Sequence, residues 1–162
     1  MLEMPEQAMR ELRAVEARLG PDDDLNMAIA RCRGEACRQQ QNFEEGARQF
    51  LAAQSDDSGD LSVSIGLAWC LKRTDRLQEA IDVMMAAYQV HEEEPIVLYN
   101  LACYFALAGD KAHALSWLGR AIRMESSLRE LVPDETDFDQ LRQDSDFQMI
   151  VGEEEDESSS AV

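Results

Sequence analysis

The chain has 162 residues, 45% of them apolar, and a formal net charge of −18 from 15 basic and 33 acidic residues. That length suits one domain with a sizeable core, and the charge argues against nucleic acid or an anionic membrane as partner, because both need a basic face to neutralise phosphates. The acid is uneven: residues 129–151 and 152–162 carry −5 each, whereas 95–128 carry +1.

Residues 1–26 open the chain without an apolar h-region or a small-residue cleavage site, so no secretory signal is read and a cytoplasmic location is expected. Ala8, Leu12, Val15 and Leu19 follow a 4-3-4 spacing, one stripe on a capping helix that ends near Gly20-Pro21. The chain then repeats itself. A shift of 34 residues aligns, without gaps, Gly34 with Ala68 and Ala102, Cys37 with Leu71 and Phe105, and Gly46 with Ala80 and Ala114. It also aligns Ala47 with Ile81 and Leu115, Phe50 with Met84 and Leu118, and Ala53 with Ala87 and Ala121. Three of these columns hold only Gly or Ala. Each unit therefore reads as two helices that approach at small residues while Phe50, Met84 or Leu118 fills the space beside the contact.

The units run 27–60, 61–94 and 95–128, and "QQQN", "RTDR" and "AGDK" supply the turns inside them. In the last turn Gly109 suits a helix C′ position and Asp110 an N-cap. The uncharged run Pro95–Gly109 has fifteen residues, short of the ~18–20 that cross a bilayer, so it is the first helix of the third unit and no membrane insertion is expected. Beyond Leu128, residues 129–151 place Leu131, Phe138, Leu141, Phe147, Met149 and Ile150 in a closing cap, and Trp117 either packs beneath it or serves binding. The tail 152–162, with five consecutive acids, has no apolar pattern and is expected to be disordered.

These residues resemble the tetratricopeptide repeat family, whose 34-residue unit follows W-x2-L-G-x2-Y, then A-x3-F, then A. The third unit matches with Leu98, Leu101, Ala102, Phe105, Ala114, Leu118 and Ala121, and the second with Leu67, Ala68, Leu71, Ala80, Met84 and Ala87, with Ser64 at the Trp position. The first departs most, with Arg33 for Leu and Gly46 for Ala. The resemblance implies an all-α fold: a right-handed superhelical α-solenoid of three units with N- and C-terminal capping helices. It also implies a non-enzymatic protein–protein interaction module that binds an extended peptide in a concave groove. Mapped onto the groove-facing positions are Arg31, Glu35 and Arg38, then Trp69, Lys72 and Arg73, then Tyr99, Asn100, Cys103 and Leu107. Four cations and one acid on that strip favour an acidic peptide with an apolar anchor. The same cations also fit a solvated helix face that balances nearby acids.

The positions of the carboxylate clamp that grips heat-shock chaperone tails hold Ala28, Cys32, Gly66, Ile96 and Asn100 here, and only Asn100 fits. A small cytoplasmic chaperone of the type III secretion translocator kind, or a regulatory subunit of an enzyme, are alternative roles, and a homodimer stays open. The acidic tail either folds back to gate the basic strip or serves solubility alone.

Nothing points to chemistry. There is no G-x-S-x-G, no phosphate-cradling glycine loop and no H-E-x-x-H, and neither His91 nor His113 has a cysteine or serine at a spacing that makes a nucleophile–base pair. "PDDDL" and "SDDSGD" lack calcium-loop spacing. Cys32, Cys37, Cys70 and Cys103 lack a C-x-x-C pair and read as buried reduced thiols, so no catalytic residue, metal site or cofactor is expected. The register itself is testable: Ala102→Leu should overpack a helix contact and cost about 1–3 kcal/mol in denaturant unfolding, and a neutral result would place the repeat boundaries elsewhere.

Overall fold

The computed structural model describes residues 3–16, 23–54 and 59–152, and every regular element among them is helical. Leu19, the Gly20-Pro21 stop and the acidic tail from Glu153 onward lie outside the described residues. The chain divides into two compact units, Met1–Glu92 and Glu93–Val162.

The first unit holds α1 (Glu3–Glu16), α2 (Asp23–Gln39), α3 (Phe43–Ala52), α4 (Leu61–Arg73) and α5 (Leu77–Val90). Here α2 pairs with α3, α3 also packs on α4, and α4 pairs with α5. The N-terminal helix lies against α2, but Val15 of its expected stripe stays 40% exposed. The boundary at residue 27 falls inside α2, which starts at Asp23; acidic residues favour the first turn of a helix, where the dipole is positive.

One ring organises this unit. Phe50 of α3 is fully buried and lies between two glycines: a Cβ on Gly34 of α2 would stand 2.9 Å from the ring, and one on Gly66 of α4 only 2.4 Å from it. Gly34 is therefore a floor under the ring rather than a point of backbone approach, and Gly66, outside the aligned columns, is the tighter neighbour. At the next contact a Cβ on Gly46 would come within 2.9 Å of the Cys70 sulfur, so glycine at this position makes room for a thiol.

The second unit holds α6 (Pro95–Leu107), α7 (Lys111–Met124), two 3₁₀ segments (Ser126–Asp134 and Thr136–Leu141) and α8 (Ser145–Gly152). The first 3₁₀ segment and α8 pack on α7, and the second 3₁₀ segment packs on α6. The cap at 129–151 thus closes the hairpin, but mostly as 3₁₀ turns. Leu98, Leu101, Ala102, Leu118 and Ala121 are fully buried, and so is Phe138 of the cap.

The three turns inside the hairpins share one backbone geometry. Gln41, Asp75 and Gly109, each 34 residues from the next, have φ of 60°, 59° and 76°. Behind them Asn42, Arg76 and Asp110 donate their N–H groups to the carbonyls of Cys37, Leu71 and Phe105 at 2.9, 3.0 and 2.9 Å. These are the long-range bonds of Schellman helix ends. Two of the next helices then start on side-chain caps: Asn42 accepts from Glu45 N, and Asp110 from His113 N at 3.1 Å. Only the third turn uses glycine at the left-handed position, where a Cβ costs about 1–2 kcal/mol. Gln41→Gly should therefore raise stability by about 0.5–1 kcal/mol after the added freedom of the unfolded chain is offset, read as a higher denaturant midpoint at unchanged m-value.

Candidate peptide-binding site

The residues expected to line a binding face separate into three groups. Arg38 of α2 and Trp69 and Arg73 of α4 come together around Phe43, the first residue of α3. Trp69 and Phe43 meet edge to face, with centroids 5.1 Å apart. The Arg38 guanidinium lies 5.3 Å from the Trp69 ring, and that of Arg73 lies 5.1 Å from Phe43 and 5.7 Å from Trp69. Both rings and Arg38 are half-buried, and Arg73 is exposed. Guanidiniums stacked on aromatic faces keep their N–H edges available for carboxylates. Lys72 is half-buried on the same helix. The sequence reading missed Phe43, because it sits at a helix start outside the positions that the resemblance maps to the groove.

Arg31 and Arg38 already hold acids. Arg38 donates twice to one Glu35 carboxylate oxygen, at 3.0 and 2.8 Å. Arg31 meets the Asp60 carboxylate at 2.9 Å. Asp60 escaped the count of one acid against four cations because it is the N-cap of α4. It accepts from Ser62 N at 3.0 Å. The Ser62 hydroxyl, then the Ser62 and Val63 amides, and last the Arg31 guanidinium hold its carboxyl below the ordinary Asp range. Beside these pairs Ala8 of α1, Arg31, Cys32, Glu35, Ala36 and Ser62 line an open cleft of about 470 Å³. Cys32, expected to be buried, is exposed there. Cys37 and Cys70 are buried as expected, and burial pushes the Cys70 thiol up to about 11.

In the second unit the expectations need correcting. Tyr99 is not on an open face: it is 5% exposed, with its ring edge to face on Phe138 of the second 3₁₀ segment, 5.9 Å away. The cap covers a face that the resemblance assigns to ligand. Cys103, four residues further along α6, is buried with it. Asn100 is half-buried and donates its side-chain amide to its own helix at Ile96 O, 2.8 Å, which competes with a role on a ligand's backbone. Trp117 is buried on α7 with the Arg120 guanidinium 4.6 Å from its ring. His113 stacks on Phe105 and pairs with Asp110 at 2.7 Å.

No protein-family model matches the chain, and no curated protein matches its sequence.

The Asp60 contacts make a prediction with a definite sign. Asp60→Ala removes the α4 cap and should cost about 0.5–2 kcal/mol at neutral pH. A lowered carboxyl pKa contributes stability above the ordinary Asp value, and loses it as pH falls through the lowered one. The stability gap between wild type and the variant should therefore be widest near neutrality and close in acid, as urea titrations across that range would measure.

Proposed function

We propose that this chain is a protein-binding module with no chemistry of its own, built from three tetratricopeptide-like helical hairpins stacked as an α-solenoid. It takes an extended acidic segment of a partner on the first unit's face around Trp69. The observation that carries this reading is the half-buried Trp69–Phe43 pair with the Arg38 and Arg73 guanidiniums over it. Aromatic and arginine side chains supply most of the energy where proteins bind proteins, and a cationic, aromatic patch on a chain of net charge −18 is locally complementary to acid. The three turns that repeat at 34-residue intervals support the hairpin array.

In this reading Trp69 anchors an apolar side chain, while Arg73 and Lys72 meet carboxylates. Arg38 stays shared with Glu35 and orients the indole. Arg31, tied to Asp60, contributes to the cleft wall more than to binding.

The test is a peptide titration combined with affinity capture from the native lysate, comparing wild type with Lys72→Glu/Arg73→Glu. The double variant loses an exposed cation–π contact of about 0.5–1 kcal/mol and should remain folded by circular dichroism. A glutamate-rich peptide with one aromatic residue should perturb Trp69 fluorescence in a Trp117→Phe background, bind more weakly as salt rises, and fail to bind the charge-reversed protein. Captured partners should disappear with it. Equal binding by both proteins would make these cations ordinary surface and overturn the proposal.

A further inference from the structure

The second unit contains a cluster that the helical pattern does not reveal. The Cys103 sulfur and one carboxylate oxygen each from Glu135 and Asp137 lie within 4.8 Å of one another. Cys103 is 3% exposed and Asp137 8%, and Glu135 is half-buried. The thiol comes from the middle of α6, and the two carboxylates come from the corner where one 3₁₀ segment gives way to the next. Packing of the cap on α6 is what assembles the three.

A second observation points into the same place. The Tyr99 hydroxyl is buried without a hydrogen-bond partner, on a residue that is itself 5% exposed. An orphaned buried hydroxyl is costly and rare. Tyr99 precedes Cys103 by one helical turn, so both lie on one face of α6, and its ring rests on Phe138, the neighbour of Asp137. The Tyr99 ring thus lies on the α6 face that carries Cys103, against the segment that carries Asp137.

The corner is held in place by its own contacts. Arg142 donates to the backbone carbonyls of Pro133 and Glu135 at 3.0 and 2.9 Å, and to the Asp139 carboxylate at 2.8 Å. The Glu135 carboxylate accepts from Asp137 N at 3.1 Å. Such contacts outside a ligand set orient the ligands.

We propose that Cys103, Glu135 and Asp137 bind a zinc-class divalent cation, with the Tyr99 hydroxyl donating a hydrogen bond to a metal-bound carboxylate oxygen. One sulfur and two carboxylate oxygens are within the zinc repertoire, and a tetrahedral site sets such atoms about 3.3–3.7 Å apart, closer than the present spread by about an ångström of side-chain rotation. The thiolate selects zinc, cobalt or cadmium over magnesium and calcium, which prefer oxygen alone. On binding, the Cys103 thiol loses its proton to solvent as the sulfur–metal bond forms. The ion would clamp the cap to α6. It would hold shut the face that covers Tyr99.

The experiment uses the full chain, with Co²⁺ as optical probe and Zn²⁺ as competitor. Wild type should bind one Co²⁺ per chain with a thiolate-to-metal charge-transfer band that Zn²⁺ bleaches and Mg²⁺ or Ca²⁺ does not, and Zn²⁺ should raise its melting temperature. Cys32→Ser should behave as wild type. Cys103→Ser and Asp137→Asn should lose the band and weaken Zn²⁺ binding by more than about 100-fold, and Tyr99→Phe by about 10–100-fold. Glu135→Gln, at the half-buried position, serves if a buried-site variant does not fold, and should weaken binding as the other ligand variants do. No stoichiometric binding by wild type, a band that survives Cys103→Ser or is lost only with Cys32→Ser, or undiminished affinity in folded Glu135→Gln would each overturn the proposal.

Discussion

The first unit depends on a phenylalanine ring that has no room to move. Phe50 projects from α3 into a slot whose two walls are Gly34 on α2 and Gly66 on α4. Any side chain on either wall would collide with the ring, so α2, α3 and α4 have one mutual arrangement in which the ring is buried and the glycines are not strained. Other features follow from that arrangement. With α2, α3 and α4 held there, Arg38, Phe43 and Trp69 face one another, although they belong to three different helices. Cys70 likewise reaches Gly46. Energy that resides in core packing is thereby expressed as the shape of a surface.

Electrostatics refines this frame rather than building it. Many of the ion pairs are local, such as Arg38 with Glu35, Arg48 with Glu45 and Arg76 with Glu79, each one helical turn apart and largely solvated. Pairs of that kind contribute little to stability. Their effect on the proposed binding face is to decide which cations remain available. Arg31 is committed to the cap of α4, whereas Arg73 is exposed and rests on aromatic rings. The same principle separates Asn100 from its expected role, since its amide is bonded to its own helix.

The second unit shows how a cap changes the meaning of a helix face. On α6 alone, Tyr99 and Cys103 share a face that would be open to a partner. The 3₁₀ corner brings Phe138, Glu135 and Asp137 over that face, which turns an exposed aromatic into a buried one and gathers a sulfur, two carboxylates and a phenol. Polar groups enclosed in this way are expensive unless they are satisfied, and this is the physical reason the cluster stands out from the acidic surface around it.

The sequence by itself determined the helical class, the spacing of the hairpins and their turns. Those features are local: small residues at 34-residue intervals, a glycine where φ must be positive, and an Asp or Asn where a helix needs a cap. Even here Gln41 and Asp75 adopt the left-handed turn without glycine, because the Schellman bonds and the packed helices on either side hold them there. The buried columns were legible too, since Ala53, Ala87 and Ala121 repeat the same size at 34-residue spacing and are all buried. Only the tertiary structure decided that Gly66 is the tightest wall of the Phe50 slot, that Asp60 takes Arg31, that Phe43 joins Trp69, and that Tyr99 and Cys103 lie under the cap. Each of those depends on which residue distant in the chain arrives at a given face. Side-chain periodicity specifies a face but not its occupant, because burial, hydrogen bonding and charge are settled only when a second element packs against the first.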